Sequence, residues 1–97
     1  MKKGQSISVN FIGDSQSQKL NRQFRNKDYA TDVLSFNYEG KSVKGESTEL
    51  LGEVFVNLDQ AKRQAKDYDN TPQQEVAELA EHGILHVLGV HHKGDDH

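Results

Sequence analysis

The stretch TPQQEVAELAEHGILHVLGVHH, Thr71 to His92, sets the terms for the rest of the chain. Thr71 followed three residues later by Gln74 forms a capping box, and Pro72 suits a first helical position, where a missing N–H leaves nothing unpaired. A helix is predicted from Pro72 to about Leu88. Val76, Leu79, Ala80, Gly83 and Val87 form the face that packs on a sheet. Gly89 is placed to end the helix, since a glycine just past the last turn adopts the left-handed conformation cheaply. His82 and His86 lie four residues apart, so both project from one face one turn apart and two imidazoles can reach one ion. If Gly89 turns the backbone sharply, His92 comes back to that face. Three imidazoles leave a fourth position for water, which is the catalytic type of zinc site. Zinc is the first metal expected, and nickel, cobalt or iron suit the same donors.

Upstream, Ile7, Val9 and Phe11 alternate with polar residues and read as a half-buried strand, and Gly13-Asp14 marks a turn. A helix follows from about Ser15 to Arg25, with Leu20 and Phe24 as its buried stripe. After a loop over 26–30, Leu34, Phe36 and Tyr38 point to one face of a second strand and Val33 to the other. Residues 39–49 form a flexible polar connection. Leu50 to Leu58 make a third strand, paired with the second as a long-looped hairpin. Asp59 caps a short helix to about Tyr68, with Ala61, Ala65 and Tyr68 inward, and Asp69-Asn70 breaks it. The fold class expected is α+β, a small mixed sheet packed against helices, with a zincin-like metal-bearing helix.

At 97 residues the chain holds one small domain and one modest core. It is 33% hydrophobic and 28% charged, the balance of a soluble globular protein. Without cysteine it has no disulfide framework, thiolate metal site or cysteine nucleophile, which fits a reducing compartment. No apolar run approaches a membrane span, and Met1-Lys2-Lys3 leads into polar residues instead of a signal-peptide core, so a cytoplasmic protein without membrane contact is expected. The net charge of -3 conceals an asymmetry: residues 1–30 hold six Lys/Arg against two Asp/Glu. Lys19, Arg22, Arg25 and Lys27 make most of that excess. A solvated helix face accounts for Lys19 and Arg22 taken alone, and a phosphate-facing patch is the competing reading.

The spacing H-x-x-x-H-x-x-G-x-x-H places Gly89 where metzincin peptidases have their turn glycine. In those peptidases a glutamate general base follows the first histidine, and here Gly83 stands there. Glu81 points away from the metal by about 100° of helix rotation. Peptide hydrolysis by that mechanism is therefore disfavoured. An incidental histidine pair, or a histidine-rich tail, would not explain a third histidine at the spacing the turn requires. His91 and His97 are weaker candidates, a neighbour and a tail residue. Glu75 and Glu78 lie on the side of His82, as hydrogen-bond partners of its ring or as solvated surface charge.

Three blocks, His82-Gly83-Ile84-Leu85-His86-Val87-Leu88-Gly89-Val90-His91-His92, Asn21-Arg22-Gln23-Phe24-Arg25 and Thr31-Asp32-Val33-Leu34-Ser35-Phe36, together resemble the YbeY family, bacterial metal-dependent endoribonucleases of ribosomal RNA maturation. Leu51-Gly52-Glu53-Val54 resembles a further block. The resemblance implies that His82, His86 and His92 hold the metal and that Arg25 is the catalytic arginine. It also implies single-strand-specific cleavage at the 3′ end of small-subunit ribosomal RNA, with ribosomal RNA and small-subunit components as partners. Two alternatives stand beside it: a zincin-like metallopeptidase or other metal-dependent hydrolase, and a ribosome assembly factor that binds metal without cutting RNA. The chain departs from the family at His91, where an aspartate is usual, and at Ala30 and Asn37, where prolines are. Set against the resemblance, a short version is expected, without the strand and helix that usually precede the first strand and the helix that usually follows the third histidine. Apolar surface exposed where these would pack is expected to favour self-association.

Overall fold

The computed structural model describes residues 4–38 and 48–89. The elements run β1 (Gly4–Ile12), α1 (Asp14–Arg25), β2 (Val33–Asn37), β3 (Thr48–Asn57), α2 (Leu58–Asp67) and α3 (Pro72–Val87). The sheet order is β1-β3-β2. β3 is central, parallel to β1 with Val9 opposite Val54, and antiparallel to β2 with Leu34 opposite Phe55. The fold is thus α+β with a mixed three-stranded sheet, as expected. The β2–β3 hairpin is present as read, and β3 starts at Thr48, two residues earlier than expected, because Thr48 and Glu49 pair with Gly4 and Gln5 of β1. Most of the expected connection, residues 39–47, lies outside the described residues.

One face of the sheet carries the core. Val54, Val56, Ala61, Leu79 and Val87 are buried together, with Ile7, Val9, Val33, Val76, Ala80 and Ile84 packed around them. Phe11 leaves that row and is 57% exposed, while Ile12 is buried instead. α3 lies unusually close to the strands because residue 83 is a glycine. A Cβ there would sit 2.5 Å from Val54 Cγ1, 3.1 Å from Ser35 Oγ and 3.2 Å from Val33 Cγ2. The helix begins as the sequence predicts, with Thr71 Oγ1 accepting from Gln74 N and the Gln74 side chain accepting from Thr71 N. Gly89 follows the helix with φ +79 and donates its N–H to His86 O.

α1 corrects the expected stripe of Leu20 and Phe24. Its buried side chains are Ser17 and Asn21, and Phe24 is 57% exposed, resting edge-on against Phe36. The inward face of the helix meets the backbone of residues 29–31, which needs hydrogen bonds more than apolar cover. Ser17 Oγ donates to Thr31 O and accepts from Thr31 N, and Asn21 Nδ2 donates to Tyr29 O. Tyr68, expected inward, is 71% exposed, because α2 ends at Asp67 and Tyr68 is its C-cap.

The N-cap of α2 is Asn57, not Asp59. Asn57 Oδ1 accepts from Asp59 N and Gln60 N, while its Nδ2 donates to Asp14 Oδ1 (2.8 Å) and Thr31 O (3.1 Å). One side chain, 1% exposed, therefore ties the end of β3 to both helix starts and to the loop before β2. Asn57→Ala removes the cap and strands buried polar groups, so unfolding by denaturant should show a loss of about 2–4 kcal/mol. An unchanged midpoint would contradict this role.

Asp14 also receives both Nη atoms of Arg63, at 2.9 and 2.8 Å. The Arg63 hydrogen bonds, seconded by the Asn57 amide, hold the Asp14 carboxyl well down, from 3.8 to about 2. A carboxylate with a depressed folded value stabilises above its unfolded value, and that contribution fades as pH falls from about 4 towards 2. The pair is solvent-exposed, so the effect is modest and weakened by salt. Thermal midpoints of Asp14→Asn are expected to fall below wild type at neutral pH and to converge with it near pH 2. Parallel curves at all pH values would exclude the linkage.

Candidate metal and RNA site

His82 and His86 stand on successive turns of α3, where the capped helix start and the close seat of Gly83 fix their direction. Their Nε2 atoms are 3.0 Å apart and the rings are tilted at 50°. That separation suits one N–H···N hydrogen bond, and it also approaches the chord of about 3.3 Å between two nitrogens of a tetrahedral zinc site. The donor set therefore fits a divalent transition metal. His92, His91 and His97 lie outside the described residues, and among the described residues no group of three ligating side chains is assembled.

The two imidazoles line a cleft of about 650 Å³ whose other walls come from α1, β2 and the N-terminal half of α3. Arg25, the last residue of α1, reaches this cleft and donates from Nη2 to Ser35 O at 3.2 Å. The fold thus brings Arg25 to the histidine pair although more than fifty residues separate them in sequence. Glu75 and Glu78 share the wall with His82. Glu75 is only 6% exposed and accepts from Asn70 Nδ2 at 3.4 Å, whereas Glu78 is open to solvent. Glu81 is exposed and outside the lining, as its helical position implies.

The cleft also contains residues that the sequence reading did not single out as site residues: Thr31, Asp32, Ser35 and Asn37. Ser35 Oγ donates to Gly83 O, and Asn37 Nδ2 donates to Val87 O. Their signal was present in the alternation of β2. If Leu34, Phe36 and Tyr38 share one face, then Ser35 and Asn37 must share the other with Val33, under the histidine helix. On the far face, Tyr38 hydrogen-bonds Glu53, and this contact pushes the phenol up to about 12.

The Endoribonuclease YbeY family pattern matches residues 1–97. An endoribonuclease YbeY of Pelotomaculum thermopropionicum is 46% identical over 92 residues, covering 93% of this chain and 60% of that protein. One from Oenococcus oeni is 41% identical over 95 residues, covering 95% and 61%. The solution structure of TM1509 from Thermotoga maritima aligns with a TM-score of 0.61 at 32% identity, covering 93% of this chain and 55% of that one. The chain therefore spans about three fifths of the length of these curated relatives. Among its described residues no helix is long and apolar enough to cross a membrane. With the family pattern matching residues 1–97 and relatives this similar, the chain belongs to the Endoribonuclease YbeY family.

Proposed function

We propose that this chain is a metal-dependent endoribonuclease that cuts single-stranded RNA during ribosomal RNA maturation in the cytoplasm, with small-subunit components as its partners. The observation that carries the reading is the convergence of the His82 and His86 Nε2 atoms, 3.0 Å apart, in the same cleft as Arg25. His82 and His86, with His92 as third ligand, would hold zinc or a related divalent metal. When bound, the metal supplies Lewis acidity toward a phosphoryl oxygen and a water acidic enough to act near neutral pH. Arg25 supplies positive charge and hydrogen-bond donors where a phosphodiester gains negative charge in its transition state. Among the described residues Arg25 makes one hydrogen bond, to Ser35 O; it orients the guanidinium, whose fork of five donors can also serve phosphate oxygens.

Peptide hydrolysis is the weaker reading for a physical reason. The residue after His82, where metzincin peptidases have their catalytic glutamate, is buried against Val54, Ser35 and Val33 without room even for a Cβ. The deciding experiment loads the purified protein with zinc and offers it single-stranded RNA, duplex RNA and an unstructured protein. Cleavage of the single strand alone, abolished by chelation and restored by zinc, is expected. Cleavage of the protein substrate alone would establish the peptidase reading, and RNA binding without any turnover would establish an assembly factor.

A further inference from the structure

Among the described residues β2 is an edge strand, and it touches the histidine helix through side chains that no catalytic reading requires. Ser35 and Asn37 are two residues apart on one face, a separation of about 6.7 Å along a strand. Gly83 and Val87 are four residues apart, about 6 Å along a helix. The two spacings match, so Ser35 Oγ reaches the carbonyl of Gly83 and Asn37 Nδ2 that of Val87. Each of these carbonyls belongs to the residue directly after a histidine, His82 in one case and His86 in the other. Ser35 makes a second link, since its own backbone carbonyl accepts from Arg25 Nη2. A single residue thus holds the arginine by its main chain and the histidine helix by its side chain. The missing Cβ at Gly83 is what lets the hydroxyl come so close.

We propose that Ser35 is a positioning residue that sets the placement of Arg25 relative to the His82–His86 pair. The inference rests on reading the cleft as a metal-dependent RNA-cleaving site. Loss of the hydroxyl leaves the Arg25–Ser35 carbonyl contact in place but lets β2 and α3 slide, and a displacement of about 1 Å is enough to cost a hundredfold in rate. Both histidines stay on one helix, so their own spacing does not depend on Ser35.

The test compares wild type, Ser35→Ala and Ser35→Thr, each also in an Arg25→Ala background. With RNA as substrate, Ser35→Ala should lower kcat by about tenfold or more with KM little changed, and Ser35→Thr, which keeps the hydroxyl, should restore most of it. In the Arg25→Ala background Ser35→Ala should have almost no further effect, because the two residues act as one unit. Zinc affinity should stay within about twofold of wild type, since the two ligands on α3, His82 and His86, do not move relative to each other. A second readout does not need turnover: with cobalt in place of zinc, the paramagnetic shift of the Arg25 Nε–Hε signal should differ from wild type in Ser35→Ala and return to the wild-type value in Ser35→Thr. Equal kcat and equal Arg25 shifts in wild type and Ser35→Ala, or the same loss with and without Arg25, would overturn the inference and leave the proposed function standing. A wild-type chain that takes up neither zinc nor cobalt would overturn both.

Discussion

His86→Ala is expected to leave the protein folded but without metal and without measurable RNA cleavage. The expectation follows from the geometry of α3. His82 and His86 share one face, and their Nε2 atoms already stand 3.0 Å apart before any ion is considered. Removing one imidazole leaves the ion short of the ligand count that a zinc site with an open position needs. Outer partners that merely orient a zinc ligand are worth about 10–100-fold in affinity, so loss of a ligand itself should exceed about a hundredfold. Metal analysis after dialysis should therefore show near-stoichiometric zinc in wild type and little in the variant. The fold should survive, because the core beneath is made by Val54, Val56, Ala61, Leu79 and Val87. Circular dichroism and a thermal melt with chelator present on both sides check that point. Full zinc content in a folded His86→Ala protein would remove this residue from the site.

The pairing of those histidines was legible in the sequence because a helix converts spacing directly into direction. The same holds for the start and end of α3, where Thr71, Gln74, Pro72 and Gly89 each act on their immediate neighbours. Local rules failed where a residue answers to distant backbone. Leu20 and Phe24 looked like the inward stripe of α1, but residues 29–31 fold against that helix and demand donors and acceptors, so Ser17 and Asn21 went inside. Asn57 and Asp59 are both chemically able to cap α2. Asn57 does so because its amide also reaches Asp14 and Thr31, a choice made by tertiary contacts that no short window contains.

The cleft divides in the same way. His82 and His86 could be read from spacing, whereas Arg25 lies in a run of exposed cations and nothing local separates it from Arg22, which faces Asp28 at 3.8 Å. Its distinction is positional: it ends α1 beside β2, within reach of Ser35 O. Only resemblance to a family could point to it in advance. Glu75 shows the converse, a carboxylate on an ordinary helical position that tertiary packing buries inside the cleft.

Arg25→Ala should keep the metal and lose the reaction. Arg25 is exposed, makes one hydrogen bond among the described residues and contributes nothing to the core, so the thermal midpoint should shift little. Zinc content should equal that of wild type, since Arg25 is not a ligand. Turnover is another matter. A preorganised donor aimed at developing charge is worth about 10²–10³ in kcat, and the fall should appear in kcat more than in KM if the contact strengthens in the transition state. Arg25→Lys tests the geometry separately from the charge. A lysine keeps one positive centre but has no planar fork, so it cannot hold Ser35 O and span two phosphate oxygens in the same way. It should recover only part of the rate. Wild-type kcat in Arg25→Ala would mean that the charge of the transition state is met elsewhere in the cleft. Equal rates for Arg25→Lys and wild type would mean that charge alone, without the bidentate geometry, is what the site uses.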